Sequence, residues 1–120
     1  MEGYRNEEGK YGVVISPGFG AGFSTWNDSR LAYDKRIVGL ALQYINKEIT
    51  AEELKELIES YGYDKVYISS SLNLEVVWVE PYCYFRIKEY DGSESIEFLD
   101  EMDFTGFNSD GQICSSRTIF

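Results

Sequence analysis

The 120-residue chain contains no histidine. That absence removes the commonest general base, the commonest transition-metal ligand and every histidine-dependent triad. Cysteine is scarce too. Cys83 and Cys114 are too few and too far apart for a disulfide framework, and without a Cys-x-x-Cys spacing they read as two ordinary thiols. No apolar run approaches the roughly 18 residues of a membrane span, and the first residues lack a basic-then-apolar signal pattern, so a cytosolic protein is expected. Basic residues almost vanish from the last part of the chain. Residues 89–120 hold eight acids and only Arg117, a net of −7, whereas residues 1–88 hold 13 acids and 10 bases, a net of −3. This balance disfavours direct nucleic-acid binding through phosphate neutralisation. It fits either a solvated acidic surface that keeps a tyrosine-rich chain soluble, or carboxylates presented to a basic groove on another protein.

What is present describes a globular domain. Apolar residues make up 43% of the chain and aromatics 16%, with ten tyrosines, enough to bury a core without staples. Residues 1–10 read as a flexible lead-in, 11–103 as a single α+β domain, and 104–120 as a tail or an arm docking through Ile113, Ile119 and Phe120. Residues 11–16 form a first strand that Pro17 ends. Residues 34–47 place Ile37, Val38, Leu40, Ala41, Leu42, Tyr44 and Ile45 on one helical face. Thr50-Ala51-Glu52-Glu53 is a capping box, so a second helix starts at Ala51 with Gly62 as its stop. From Tyr63 the apolar period becomes two, predicting strands over 65–68, 72–79, 83–90 and 94–99, with Phe85, Ile87, Ile96 and Phe98 inward. Asp91-Gly92 is a strong hairpin turn signal. The pattern predicts an α+β fold, an antiparallel sheet of four or five strands with two antiparallel helices packed on one face.

The most distinctive stretch follows the first strand: Ser16-Pro17-Gly18-Phe19-Gly20-Ala21-Gly22-Phe23-Ser24-Thr25-Trp26-Asn27. Its glycine spacing is not the G-x-G-x-x-G of a dinucleotide fingerprint, and no Gly-Lys-Ser/Thr of a Walker motif occurs. Three uses fit the run. It is a tight loop tucking Phe19, Phe23 and Trp26 into the core, an anion nest of backbone N–H groups, or a protein contact. Ser24 and Thr25 lack a neighbouring base that would make either a nucleophile. Arg86 shares its strand face with Tyr84, Lys88 and Tyr90. It suits anion recognition and stacking, or a plain cross-strand pair with Glu97. Glu89, Asp91, Glu94 and Glu97 form no calcium-loop pattern and read as solvated hairpin acids, with an acid–base pair as the sharper alternative.

Residues 11–27 together with Val77-Trp78-Val79 and Phe85-Arg86-Ile87-Lys88-Glu89-Tyr90-Asp91-Gly92-Ser93-Glu94 resemble a family of small acidic proteins of phages and prophages of Gram-positive bacteria. The resemblance spans roughly residues 11–99, carries no assigned activity and implies a phage setting. Small phage proteins without catalytic residues often inhibit host defence, so a counter-defence role in the host cytoplasm, without cofactor or metal, is expected. Two expectations follow. In the first, a homo-oligomer sequesters a small anionic, nucleotide-like immune signal. The ligand set would be Gly18, Phe19, Gly20, Gly22, Phe23, Ser24, Thr25, Trp26, Asn27, Arg86 and Tyr90, with the amides of Gly18 to Gly22 on phosphates, Trp26, Phe19 or Phe23 on a base and Arg86 supplying charge. In the second, an anti-CRISPR-like nucleic-acid mimic occludes the basic groove of a defence nuclease through Glu89, Asp91, Glu94, Glu97, Asp100, Glu101 and Asp103. A histidine-free enzyme working through carboxylates is a third and weaker reading.

Overall fold

The computed structural model describes residues 2–18, 20–98, 104–107 and 111–116. Strand β1 (Tyr11–Ile15) leads through the glycine-rich loop and a 3-10 turn (Ser29–Ala32) to helices α1 (Lys35–Ile45) and α2 (Ala51–Ser60). Strands β2 (Glu75–Val79), β3 (Phe85–Tyr90), β4 (Ser93–Phe98), β5 (Phe104–Phe107) and β6 (Ile113–Ser116) follow. The α+β class holds. The strands, however, divide between two antiparallel sheets, β1-β2 and β4-β3-β5-β6, rather than gathering into one helix-backed sheet.

The alternation of β1 and β2 explains the division. Val14 and Val76 are paired and face the helical cluster of Ile37, Val38, Leu54 and Ile58. Tyr11, Val13, Val77 and Val79 face the other way, onto Phe85 and Phe107 of the larger sheet. A two-stranded ribbon buried on both faces needs apolar residues at both parities, which the Val13-Val14 and Val76-Val77 doublets supply. Helix α1 lies against both strands of this ribbon and α2 packs on α1. Gly12 makes the approach possible, because a Cβ there would sit 2.8 Å from the Val38 side chain and 3.0 Å from that of Val76.

Helix boundaries follow local chemistry. Asp34 caps α1, and the α2 capping box is complete, with the Thr50 hydroxyl on the Glu53 N–H and the Glu53 carboxylate on the Thr50 N–H. Gly62 takes φ +98° at the α2 exit, as a C-terminal stop requires. Helix α1 ends two residues before the expected Lys47, which itself adopts φ 62° in a Schellman-type closure with Glu48 N–H on the Gln43 carbonyl.

Residues 65–68 are not a strand. Their backbone groups are met by side chains instead: Val66 N–H donates to Glu59, and Asn27 both accepts from Tyr67 N–H and donates to the Tyr67 carbonyl. The expected strand over 72–79 begins only at Glu75, and Phe98 is half exposed rather than inward. Residues 2–10, expected as a lead-in, hydrogen-bond to the body through Gly12 N–H on the Tyr4 carbonyl and Gly3 N–H on the Gly111 carbonyl. Strands β5 and β6 come from the segment expected as a tail or arm. Ile119 and Phe120 lie outside the described residues. Among the described residues no helix is long and apolar enough to cross a membrane.

Candidate functional site: the loop and hairpin junction

Asp91 and Gly92 adopt φ 50° and 83° between Tyr90 and Ser93, the left-handed pair a two-residue type I′ turn demands. This turn points the β3–β4 hairpin at the glycine-rich loop, and the two are stitched by backbone. Gly20 N–H donates to the Asp91 carbonyl at 3.0 Å and Glu94 N–H to the Ser16 carbonyl at 2.7 Å, while the Ser93 hydroxyl reaches the Pro17 carbonyl at 2.7 Å. A Cβ on Gly92 would lie 2.5 Å from the Ala21 backbone nitrogen, so only glycine allows this closeness.

The centre of the junction is the Glu94 side chain, only 1% exposed. Its Oε1 accepts from Ser16 N–H at 2.8 Å. Its Oε2 accepts from Phe23 N–H at 2.8 Å, Thr25 N–H at 3.0 Å and the Thr25 hydroxyl at 2.5 Å. The segment thus holds an anion, one of the three uses its sequence allowed, but through the Ser16, Phe23 and Thr25 amides that flank the glycines rather than the glycine amides, and the anion is a carboxylate of the same chain. Cross-strand parity was the available signal. Glu94 shares the inward face with Ile96, and its partner Glu89 shares it with Phe85 and Ile87.

Glu89 fixes the outer edge of the junction. Its Oε2 accepts from the Trp26 indole N–H at 3.0 Å and from Gly92 N–H at 2.7 Å, and these two bonds hold its carboxyl below the usual carboxylate range. The Trp26 ring stands 6.2 Å from that of Tyr67 at a 35° tilt, and both are exposed, at 45% and 57%. Tyr67 was missed by sequence reasoning because its run imitates a strand. Gly22 leaves room for the indole, since a Cβ there would meet Trp26 Cδ1 at 2.7 Å.

The other anticipated residues divide between core, junction and opposite face. Phe23 and Ser24 are buried, Thr25 is tied to Glu94, and Asn27 clamps Tyr67. Gly18 and Gly20 line a polar cavity of about 160 Å³ with Ser16, Ser69, Ser71 and Asn73. A larger cavity of about 450 Å³ lies under the α1–α2 link, lined by Tyr44, Ile49 and Leu74. Arg86 does not join the loop. Its register partner is Glu97, so it stands on the sheet face opposite to Glu89 and Glu94. There it donates to Glu97 at 2.9 Å, and Lys88 contacts the same carboxylate at 3.0 Å. Lys88 first, then Arg86, holds the Glu97 carboxyl below its ordinary range. Tyr90 shares this outer face and is 73% exposed. Phe19, Asp100, Glu101 and Asp103 lie outside the described residues.

A second polar cluster braces the start of α1. Asp34, 3% exposed, accepts from Arg36 N–H, the Arg36 guanidinium and the Tyr63 hydroxyl at 2.6 Å. Burial would raise its carboxyl, yet the Arg36 and Tyr63 bonds outweigh burial and hold it below the ordinary value. Arg30 and Arg36 stack on Tyr63 and Tyr61 at 4.9 and 4.7 Å from the ring centroids. Among the described residues, no group of three or more Cys, Asp or Glu side chains is placed to hold a metal ion. Comparison with protein-family models, curated proteins and solved structures finds no match for this chain.

Proposed function

We propose that the chain is a non-catalytic binding protein that engages a basic surface of another protein through the loop and hairpin junction. The observation that carries this reading is the closure of the glycine loop on Glu94, which leaves Trp26, Tyr67, Glu89 and Asp91 as the outward groups of the junction. Exposed tryptophan and tyrosine beside carboxylates make a surface with anchor-like aromatics and a charge opposite to that of a nucleic-acid-binding groove. In the phage setting implied by the sequence resemblance, the partner is a host defence nuclease.

Two features favour this reading over capture of a nucleotide-like signal. Of the Gly18 to Gly22 amides assigned to phosphates, Gly20 N–H is spent on the Asp91 carbonyl, the flanking Ser16, Phe23 and Thr25 amides are bonded to Glu94, and Arg86 is paired on the opposite face. The cavity beside the loop, about 160 Å³, also falls below the roughly 300–1,000 Å³ of small-molecule sites. Of the acids expected to mimic a nucleic acid, Glu94 is buried and Glu97 is spent on Lys88 and Arg86.

The test is phage plating on a host carrying a nuclease-based defence system, with wild-type protein and the triple variant Trp26→Ala, Tyr67→Ala, Asp91→Asn. A matching melting curve establishes that the variant is folded. Wild type restores plating and the variant does not, and purified wild type binds the nuclease more weakly as salt rises. Equal protection by the variant overturns the assignment of this surface.

A further inference from the structure

We infer that Trp26, Tyr67 and Glu89 form a recognition site for an arginine side chain, a guanidinium presented by the partner protein. The inference rests on the proposed binding function and names the group that the junction reads.

The argument starts from what the three side chains have left to offer. The indole N–H of Trp26 is already donated to Glu89 Oε2, so its edge is satisfied and its π face is the remaining interaction surface. Tyr67 is fixed through its backbone by the two Asn27 bonds, so its half-exposed ring is presented without loss of further backbone freedom. Glu89 directs both of its bonds through Oε2, and Oε1 has no partner among the described residues. An exposed indole thus has a phenol ring 6.2 Å from it and, at its N–H, a carboxylate with one oxygen that lacks a donor among the described residues. That set is complementary to a cation.

Donation from the indole to a carboxylate sharpens the preference, because it pushes electron density into the ring and deepens the negative face that attracts cations. A carboxylate bonded to two N–H groups also stays ionised at neutral pH. The net charge of −10 concentrates cationic partners around the molecule and repels the phosphates that would accompany a nucleotide base. Between the two protein cations, geometry selects arginine. A planar guanidinium lies flat on an indole or phenol and still donates in its plane to a carboxylate oxygen, which a spherical ammonium cannot do. The site is open and lacks enclosing walls, so it suits one side chain of a larger interface rather than free arginine.

The experiment follows the Trp26 indole N–H and Gly92 amide resonances by two-dimensional NMR, with Trp78→Phe to assign the indoles. The probes are a nine-residue arginine-rich peptide, the same peptide with lysine, the same with citrulline, and adenosine monophosphate. Saturable shifts are expected with the arginine peptide, at least about threefold tighter than with lysine, and none with citrulline. Glu89→Gln keeps an acceptor for the indole and preserves the fold. It should weaken arginine binding at least about fivefold with an unchanged melting temperature. Equal affinity for arginine and lysine, binding of citrulline, indifference to Glu89→Gln, or tighter binding of the nucleotide each overturns the site. The two readings fail separately. Lost protection in the plating assay without arginine selectivity removes only this site, whereas arginine selectivity with undiminished protection by the triple variant removes only the proposed function.

Discussion

Removing the Glu94 carboxylate should uncouple the glycine loop from the hairpin at a cost that can be worked out bond by bond. Four donors converge on it, and two of them, Ser16 N–H and Phe23 N–H, belong to residues only 2% and 0% exposed. A buried donor left without an acceptor costs about 1–3 kcal/mol. Glu94→Ala leaves these two uncompensated and weakens Thr25, so a loss of about 3–5 kcal/mol is expected, typical of deleting one side of a buried polar network. Glu94→Gln keeps the volume. Its amide oxygen can serve the three donors at the Oε2 position, but its NH₂ then faces Ser16 N–H, and about 2 kcal/mol is lost to that donor–donor contact. Thr25→Val removes one hydroxyl bond to a carboxylate and should cost about 1–2 kcal/mol. With an unfolding entropy of about 0.25 kcal/mol/K for a chain of this size, the Ala variant melts about 12–20 °C lower. Urea unfolding followed by circular dichroism reads the series, and hydrogen exchange of the Phe23 and Thr25 amides reads the loop itself. An Ala variant within 1 kcal/mol of wild type, or a Gln variant equal to it, would show that the nest does not hold the loop.

Two further outcomes depend on the same coordinates. Gly92→Ala forces a Cβ onto the Ala21 backbone at φ +83°, so about 2–5 kcal/mol should be lost in urea unfolding, whereas Gly18→Ala meets open space and should stay within about 0.5 kcal/mol of wild type. The carboxyl of Asp34 is held below its unfolded value of about 3.9, so its stabilisation is complete above that pH and disappears as the pH falls through the lower folded value. The gap in unfolding free energy between wild type and Asp34→Asn should therefore be constant from neutral pH down to about 5 and shrink below about 4; a gap that stays flat to pH 2 refutes the assignment. Burial first, and then the bond to Asp34, raises the Tyr63 hydroxyl, so wild type should also lose stability above about pH 10 and Tyr63→Phe should lose less.

Local chemistry was legible in the sequence wherever a single residue type is required. The capping box at Thr50 and Glu53, the Asp91-Gly92 turn and the Gly62 stop all occur where residue identities demanded them. Partners across the chain were not legible. Residues 65–68 carry a strand-like alternation, but alternation is blind to who supplies the backbone bonds, and here Asn27 and Glu59 do. The early end of α1 escaped for a related reason, since Lys47 occupies the left-handed position where a glycine would have announced the stop. At the site, an anion nest was one of three uses legible in the glycine run, while the identity of the anion, and its seat on the flanking Ser16, Phe23 and Thr25 amides, depended on a hairpin 71 residues from Phe23. Arg86 had both of its roles visible in the pattern, and the cross-strand position of Glu97 selected the pair over the platform.

The closed nest bears directly on recognition. An open glycine loop would have to order its backbone when a partner arrives, at roughly 1–2 kcal/mol per residue. Here that ordering is completed during folding, because Glu94, Ser93 and Asp91 each hold different points between Ser16 and Thr25 while Gly92 packs against Ala21. Trp26 follows directly after the last of these points, and Glu89 holds its indole from the same hairpin. Under the proposed binding function, the carboxylate that fills the nest would act on binding without touching a partner. It would spare the proposed interface the entropic cost of fixing Trp26, since surfaces with their anchors fixed beforehand bind more tightly for the same contact area.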